Sequence, residues 1–237
     1  MSARARKRLV ALASRFELPD GAVPALDALL QVLASDPGAP TSITDPATVA
    51  DAHVADALVA LEIDAVRGAR QIADLGSGAG FPGLVLAAAL PGAHVTLVES
   101  SSKKCAFLER AAEAMGLANV EPVSARAEEW VAGISRCDLV TARAVAPLNV
   151  LVEYAAPLLA EGGSLVAWKG RRDFAEEADG AAAAAGTGLG APVVRSVHPW
   201  DGAEHLHLHA FEKVGSTPNR YPRRPGMASK RPLRAAT

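Results

Sequence analysis

The sequence predicts an α/β fold: a doubly wound, mostly parallel seven-stranded sheet, preceded by a helical segment and closed at one edge by a C-terminal antiparallel hairpin. Three observations carry this. From Arg70 onward, short apolar runs ending at acids or glycines alternate with stretches of helical spacing, and strands alternating with helices join by right-handed crossovers into a parallel sheet covered on both faces. The first run ends in a glycine-rich turn that opens a helix. The last two runs, 193–198 and 206–214, are separated by only seven residues, whereas a parallel crossover takes roughly a dozen.

Taken in order, residues 1–65 read as an all-helical cap. Leu9, Leu12, Ala13 and Phe16, then Leu26, Leu29, Leu30 and Leu33, then Val54, Leu58 and Leu61 recur at helical spacing, punctuated by Pro19, Pro24, Pro37, Pro40 and Pro46. Residues 66–216 form the main unit. Its strands are expected near 70–75, 94–98, 119–123, 138–142 and 164–168, with helices near 83–90, 102–115, 127–132, 147–160 and 173–185. The two final runs make the hairpin. Residues 217–237, too rich in proline and charge to pack, read as a flexible basic tail.

Of 237 residues 51 are alanine and only 4% are aromatic, a composition that favours helix. Twenty-four bases against 26 acids give a net charge of −2, which taken whole argues against a polyanion binder. The distribution reverses that inference. Arg4, Arg6, Lys7 and Arg8 at one end, and Arg220, Arg223, Arg224, Lys230, Arg231 and Arg234 at the other, are accompanied by no acid, so an acidic body separates two basic ends. Cys105 and Cys137 are too few for a disulfide framework or zinc cluster. The basic start meets only five apolar residues, 9–13, before Ser14 and Arg15, so no export signal is expected. Nor does any stretch reach the roughly 20 apolar residues of a membrane span. A cytoplasmic protein is expected.

The sharpest motif runs from Asp74 to Gly83: Asp74, Gly76, Gly78, Gly80, Phe81, Pro82 and Gly83 directly follow the first strand. Glycines let the backbone turn tightly and approach a ligand that a side chain would exclude. Gly78, Gly80 and Gly83 satisfy the dinucleotide spacing, and Glu99 ends strand two where a ribose-binding acid belongs, so NAD and oxidoreduction form one reading. The other begins at Asp74, because an acid ahead of the glycines is difficult to justify beside a pyrophosphate and easy beside the cationic end of S-adenosylmethionine. The hairpin also favours this second reading.

At the carboxyl edge, where ligands sit in open α/β sheets, strand three delivers Ala127 and Glu128 to an adenine site. Strand four delivers Arg143 to the meeting point of methyl donor and acceptor, and strand five delivers Lys169. His53 and Asp56, three apart on a helix, are substrate-side candidates. His205, His207 and His209 share a strand face and read as solvated rather than as a metal site; no metal is expected. No Asn/Asp-Pro-Pro-aromatic tetrapeptide follows strand four, as amino-group methylation would require, and neither cysteine follows a proline, as pyrimidine C5 methylation would favour. An acceptor with a free lone pair, such as guanine N7, needs only alignment, so Arg143 positions and no general base is called for. A non-catalytic RNA-binding assembly factor that retains the same ligand remains an alternative class.

Together these residues resemble the RsmG (GidB) family over nearly the full length of the chain. The resemblance is carried by the Asp74–Gly83 loop, Leu97-Val98-Glu99-Ser100 with Lys103-Lys104, Ser124 to Glu129, Ala142-Arg143-Ala144, Trp168-Lys169-Gly170, and the tail's Tyr221-Pro222-Arg223 with Lys230, Pro232 and Leu233. It implies a class I, Rossmann-like methyltransferase that uses S-adenosylmethionine to methylate N7 of one guanine in 16S rRNA, in the decoding region of the small subunit. Gly76, Phe81, Ala127, Glu128 and Arg143 would then contact the donor, with Glu99 and Ser100 at its ribose. Tyr221, Arg223, Arg224, Lys230 and Arg231 would meet RNA. A monomer acting on 16S rRNA or the 30S subunit is expected. The segment Thr41-Ser42-Ile43-Thr44 departs from the Asn-Leu-Thr of many relatives.

Overall fold

A computed structural model describes residues 3–235. Seven strands form one sheet in the order β3-β2-β1-β4-β5-β7-β6. They are β1 (Gln71–Leu75), β2 (His94–Glu99), β3 (Val120–Ser124), β4 (Cys137–Arg143), β5 (Leu159–Lys169), β6 (Val193–Val197) and β7 (Leu206–Glu212). The first five are parallel, and β7 runs antiparallel to both β5 and β6. Chain order moves outward from β1 to β3 and then returns to β4 on the other side of β1. The crevice between the carboxyl ends of β1 and β4 is thus the topological switch point, where open α/β sheets bind ligands. Pro122 is tolerated because β3 is an edge strand with no outer partner to serve.

Alternation along the strands sorts two cores. Ile72, Val95, Leu97, Leu139, Val166 and Trp168 face one side, and Ala73, Leu75, Val98, Val140, Leu165 and Ala167 the other. The first side is covered by α1 (Ala3–Phe16), α2 (Ala22–Ser35), α6 (Gly83–Ala89) and α7 (Ser102–Ala114), and by a run of short turns. These are α3 (Pro46–Val49), a π-helical turn (Ala50–Ala55), α4 (Asp56–Leu58), a 3-10 turn (Val59–Glu62) and α5 (Asp64–Arg67). The N-terminal helices therefore share one continuous core with the sheet: Leu9, Leu12, Leu26 and Leu58 are fully buried beside Leu84 and Phe107. The second side is covered by α8 (Leu148–Ala155) and α9 (Phe174–Thr187).

Three expectations need correction. The helix expected at 127–132 is two 3-10 turns, Ala127–Glu129 and Val131–Gly133, because Trp130 leaves the helical path to pack on the second core. The helix expected to reach 160 stops at Ala155 because Pro157 follows closely, and β5 starts at Leu159. The tail expected not to pack is a strap along α8 through residue 235, including α10 (Met227–Lys230). Arg223 pairs with both oxygens of Glu153, a residue only 1% exposed. Asn149 donates to the Leu233 carbonyl at 2.6 Å, and Leu233 packs on the second core. At the strap's start, the buried ammonium of Lys213 donates to Thr217 and to the carbonyls of Ala156 and Thr187, where α8 and α9 end. Internal acceptors thus satisfy charges that composition alone assigns to solvent.

Candidate functional site

The glycine loop is pinned from below. The Gly76 N–H donates to the Val98 carbonyl at 2.7 Å, and the Ser77 hydroxyl to the Asp74 carbonyl at 2.8 Å. Gly76, Gly78 and Gly80 all have positive φ, a backbone that a Cβ penalises. A Cβ on Gly83 would lie 2.3 Å from Leu97 Cδ2 and 2.8 Å from Asp74 Oδ2, so α6 can sit this close to the sheet only with glycine there.

Asp74 does not face the crevice as the charge argument suggested. It is fully buried beneath the loop, where one carboxylate oxygen accepts from the Gly83 N–H at 3.2 Å and the other from the Thr141 hydroxyl at 2.8 Å. Burial pushes its pKa up to about 6, opposed by these hydrogen bonds. The acid ahead of the glycines organises the loop and its helix. Thr141 carries no motif of its own in the sequence; register brings it to Asp74, with which it pairs across β1 and β4.

Glu99 lies beside the glycine loop at the carboxyl edge. Only 5% exposed at the end of β2, it accepts from the N–H groups of Gly78 at 3.2 Å and Ser101 at 2.9 Å, with the Ser100 hydroxyl beside it. A carboxylate has about four lone-pair sites, so acceptor capacity for a sugar diol remains. This acceptor, together with loop glycines that bare their backbone, fits an adenosyl ligand whose ribose would lie on Glu99. Ala127 and Glu128 follow β3 as expected. Glu128 also accepts from the strap's Gly226 N–H at 2.9 Å.

Arg143 leaves β4 into a cluster that sequence spacing alone did not assemble. Its guanidinium donates to Asp56 at 2.9 Å and lies 3.2 Å from His53 Nδ1 and 5.3 Å from the Phe81 ring centroid. The His53 and Phe81 rings lie 4.7 Å apart. The same Nδ1 lies 3.0 Å from the Ala52 carbonyl, so the His53 ring is held between a backbone acceptor and the Arg143 cation. Burial and Arg143 together push the His53 pKa down to about 4, and burial raises that of Asp56 against the pull of Arg143. Trp168 adds a hydrogen bond to the Asp56 carbonyl at 2.8 Å. The cation is thus held rigidly at the switch point. Ala144, next in the chain, has φ +57°, a left-handed conformation uncommon for alanine and typical of positions a surrounding site over-determines.

Lys169 is engaged in holding the neighbouring loop: its ammonium donates to the Ala146 carbonyl at 2.9 Å and to Glu176 at 2.6 Å, and Glu176 also accepts from the Leu148 N–H. That loop sets Val145 against Gly76, where an added Cβ would lie 2.8 Å from Val145 Cγ2. Tyr221 sits apart from the crevice, beside Pro157 and Leu159 at the opposite edge of the sheet. Arg223 is committed to Glu153, while Arg224, Lys230 and Arg231 are exposed on the strap. The three histidines do not act as one solvated row. His205 precedes β7 with positive φ, His207 accompanies the Gly170 carbonyl, and His209 is 1% exposed against Glu177 at 3.2 Å. Among the described residues no group of three or more His, Cys, Asp or Glu could hold a metal ion, and no helix is long and apolar enough to cross a membrane.

Residues 39–198 match the family described as rRNA small subunit methyltransferase G. The chain is 44% identical over 196 residues to the ribosomal RNA small subunit methyltransferase G of Rubrobacter xylanophilus, covering 80% of this chain and 75% of that protein. It is 41% identical to the corresponding protein of Desulfitobacterium hafniense, covering 81% of each. Among solved structures, a SAM-dependent O-methyltransferase from Thermotoga maritima superposes with a TM-score of 0.55 at 17% identity, over 69% of this chain and 66% of that one.

Proposed function

The chain belongs to the rRNA small subunit methyltransferase G family, and on that premise we propose that it methylates N7 of one guanine in the decoding region of 16S rRNA, using S-adenosylmethionine. Membership displaces the nicotinamide reading of the glycine loop. The observation that carries the proposal is the Arg143 cluster: a guanidinium fixed by Asp56, His53 and Phe81 at the carboxyl edge, next to a glycine cradle and the Glu99 carboxylate.

S-adenosylmethionine supplies an electrophilic methyl group on a sulfonium; the N7 lone pair forms the new N–C bond as the C–S bond breaks, its electrons go to sulfur, and no proton moves. The chain accordingly needs no base, and the cluster offers none poised for one. His53 Nδ1 is engaged between the Ala52 carbonyl and Arg143, and Asp56 is paired. Glu99 and the Gly76–Gly80 backbone hold the ribose and amino-acid parts, while Ala127 and Glu128 border the adenine. Arg143 orients donor and acceptor in line, where alignment is the main source of rate. The test is transfer of labelled methyl from S-adenosylmethionine to 30S subunits and to 16S rRNA, with the modified base mapped by mass spectrometry. A single 7-methylguanine is expected; no transfer to either substrate would sink the assignment.

A further inference from the structure

The feature left unused by this chemistry is a groove between α1 and the loop joining β6 to β7. On α1, Ala5, Leu9, Leu12 and Phe16 face the core. The adjacent stripe, Arg4, Lys7, Arg8, Ala11 and Arg15, recurs at the three- and four-residue spacing of one helix face and runs along residues 198–201. Arg15 donates to the carbonyls of His198 and Pro199, and Arg8 to that of Pro199 and to Asp51. These two arginines fix the loop against the helix. What remains is a cavity of about 360 Å³ lined by Arg4, Lys7, Arg8, Ala11, Trp200 and Asp201, among others.

Its position ties it to the crevice. Because β7 runs antiparallel to β5, the β6–β7 loop emerges at the same edge as Lys169 and Arg143. Asp51, the partner of Arg8, sits on the same π-helical turn as His53. Trp200 packs in part against the first core and is half-buried, so its indole is held while it lines the groove. The small side chains of Ala11 and Ala47 leave the space beside it.

We propose that this groove is a second RNA subsite: it takes a single-stranded nucleotide near the target guanine, with the base stacked on Trp200 and the backbone phosphate between Arg4 and Lys7. The inference rests on the rRNA methyltransferase reading and adds a contact point to it. Arg4 and Lys7 face the cavity beside the Arg8–Asp51 pair, and an anchored aromatic lies next to them. That pairing of stacking surface and phosphate-binding charge is the chemistry of single-stranded nucleic acid recognition. Two carboxylates also line the cavity, but Asp51 is neutralised by Arg8, which leaves Asp201. Arg4 also feels Asp45 electrostatically, so Lys7 supplies the less encumbered charge.

The test compares the full-length wild-type protein with R4E/K7E, W200A and W200F. Affinity for 16S rRNA is measured across a salt series, KM and kcat with 30S subunits, and S-adenosylmethionine affinity serves as the check on folding. R4E/K7E should weaken rRNA binding roughly tenfold or more and reduce the salt slope by about one. W200A should raise KM roughly fivefold or more, with W200F close to wild type and the salt slope unchanged. Both should leave S-adenosylmethionine affinity intact. Wild-type rRNA affinity and salt slope in R4E/K7E would overturn the subsite even if W200A fails to fold, since Lys7 is exposed. Failure of the wild-type protein to bind or methylate 30S subunits would instead remove the underlying reading.

Discussion

The backbone N–H of Gly226 donates to the Glu128 carboxylate at 2.9 Å, so the strap that begins at the amino edge of the sheet passes against the loop expected to border the adenine. Charge segregation alone makes residues 217–237 a detachable RNA arm whose removal spares donor binding. The contacts of Gly226, Arg223 and Leu233 instead pack the arm onto α8 and the Glu128 loop.

Truncation after residue 216 should therefore both destabilise the protein and weaken S-adenosylmethionine binding, as read by thermal unfolding and calorimetry. Arg223→Ala isolates the first effect. It strands Glu153, whose side chain is 2% exposed, and breaking such a pair costs about 3 kcal/mol or more. Arg223→Ala/Glu153→Gln should recover much of that loss. Equal stability of wild type and Arg223→Ala would show that the strap does not pack as described.

Arg143→Ala should lower kcat on 30S subunits by about 100-fold, the scale expected when a positioning contact is lost. It also leaves Asp56, 8% exposed, without its cation. Asp56→Asn keeps an acceptor for the guanidinium and should lose far less activity. If Asp56→Asn proves as inactive as Arg143→Ala, the pair's charge rather than its geometry matters.

Asp74 and His53 should tilt the stability-versus-pH curve in opposite directions. Asp74 has a folded pKa of about 6, above its ordinary 3.8, so its contribution is full below pH 3.8 and is lost as pH rises through 6. His53 has a folded pKa of about 4, below 6.5, so its contribution is full above pH 6.5 and is lost as pH falls through 4. Asp74→Asn removes the titration and should flatten the loss of stability between pH 4 and 7, although its amide can replace only one of the two accepted hydrogen bonds. His53→Gln should lose less stability on acidification. Urea midpoints between pH 4 and 8 read both; curves parallel to wild type would refute the burial of these groups.

Gly83→Ala should lower stability by roughly 1–3 kcal/mol, the scale of overpacking, and weaken S-adenosylmethionine binding, because the new Cβ collides with Leu97 and Asp74. Gly21→Ala, with φ −74° and nothing within 4 Å of the added carbon, is the control and should change neither. Circular dichroism melts and calorimetry on both variants decide it.

The strands and the hairpin were legible because each lies in a local pattern: short continuous apolar runs, buried on both faces, in β1, β4 and β5, and a connection too short to cross over. Glu99 and Arg143 were legible because they end strands at the carboxyl edge. Thr141, Val145, Glu153 and Glu176 were not, since each acts through a partner distant in sequence. Glu153 reads as an ordinary exposed helix acid until Arg223, 70 residues on, covers it.

By itself the sequence determined the sheet, the glycine turn and the edge that carries the candidate site, because backbone geometry and apolar periodicity are local properties. The tertiary structure decided which charges are spent internally. It buried Asp74 under its loop, bound Arg223 and Lys213 into the strap, and locked Arg143 to Asp56. The physical reason is that a charge's role depends on its partner and its desolvation, and both are set by contacts across the fold.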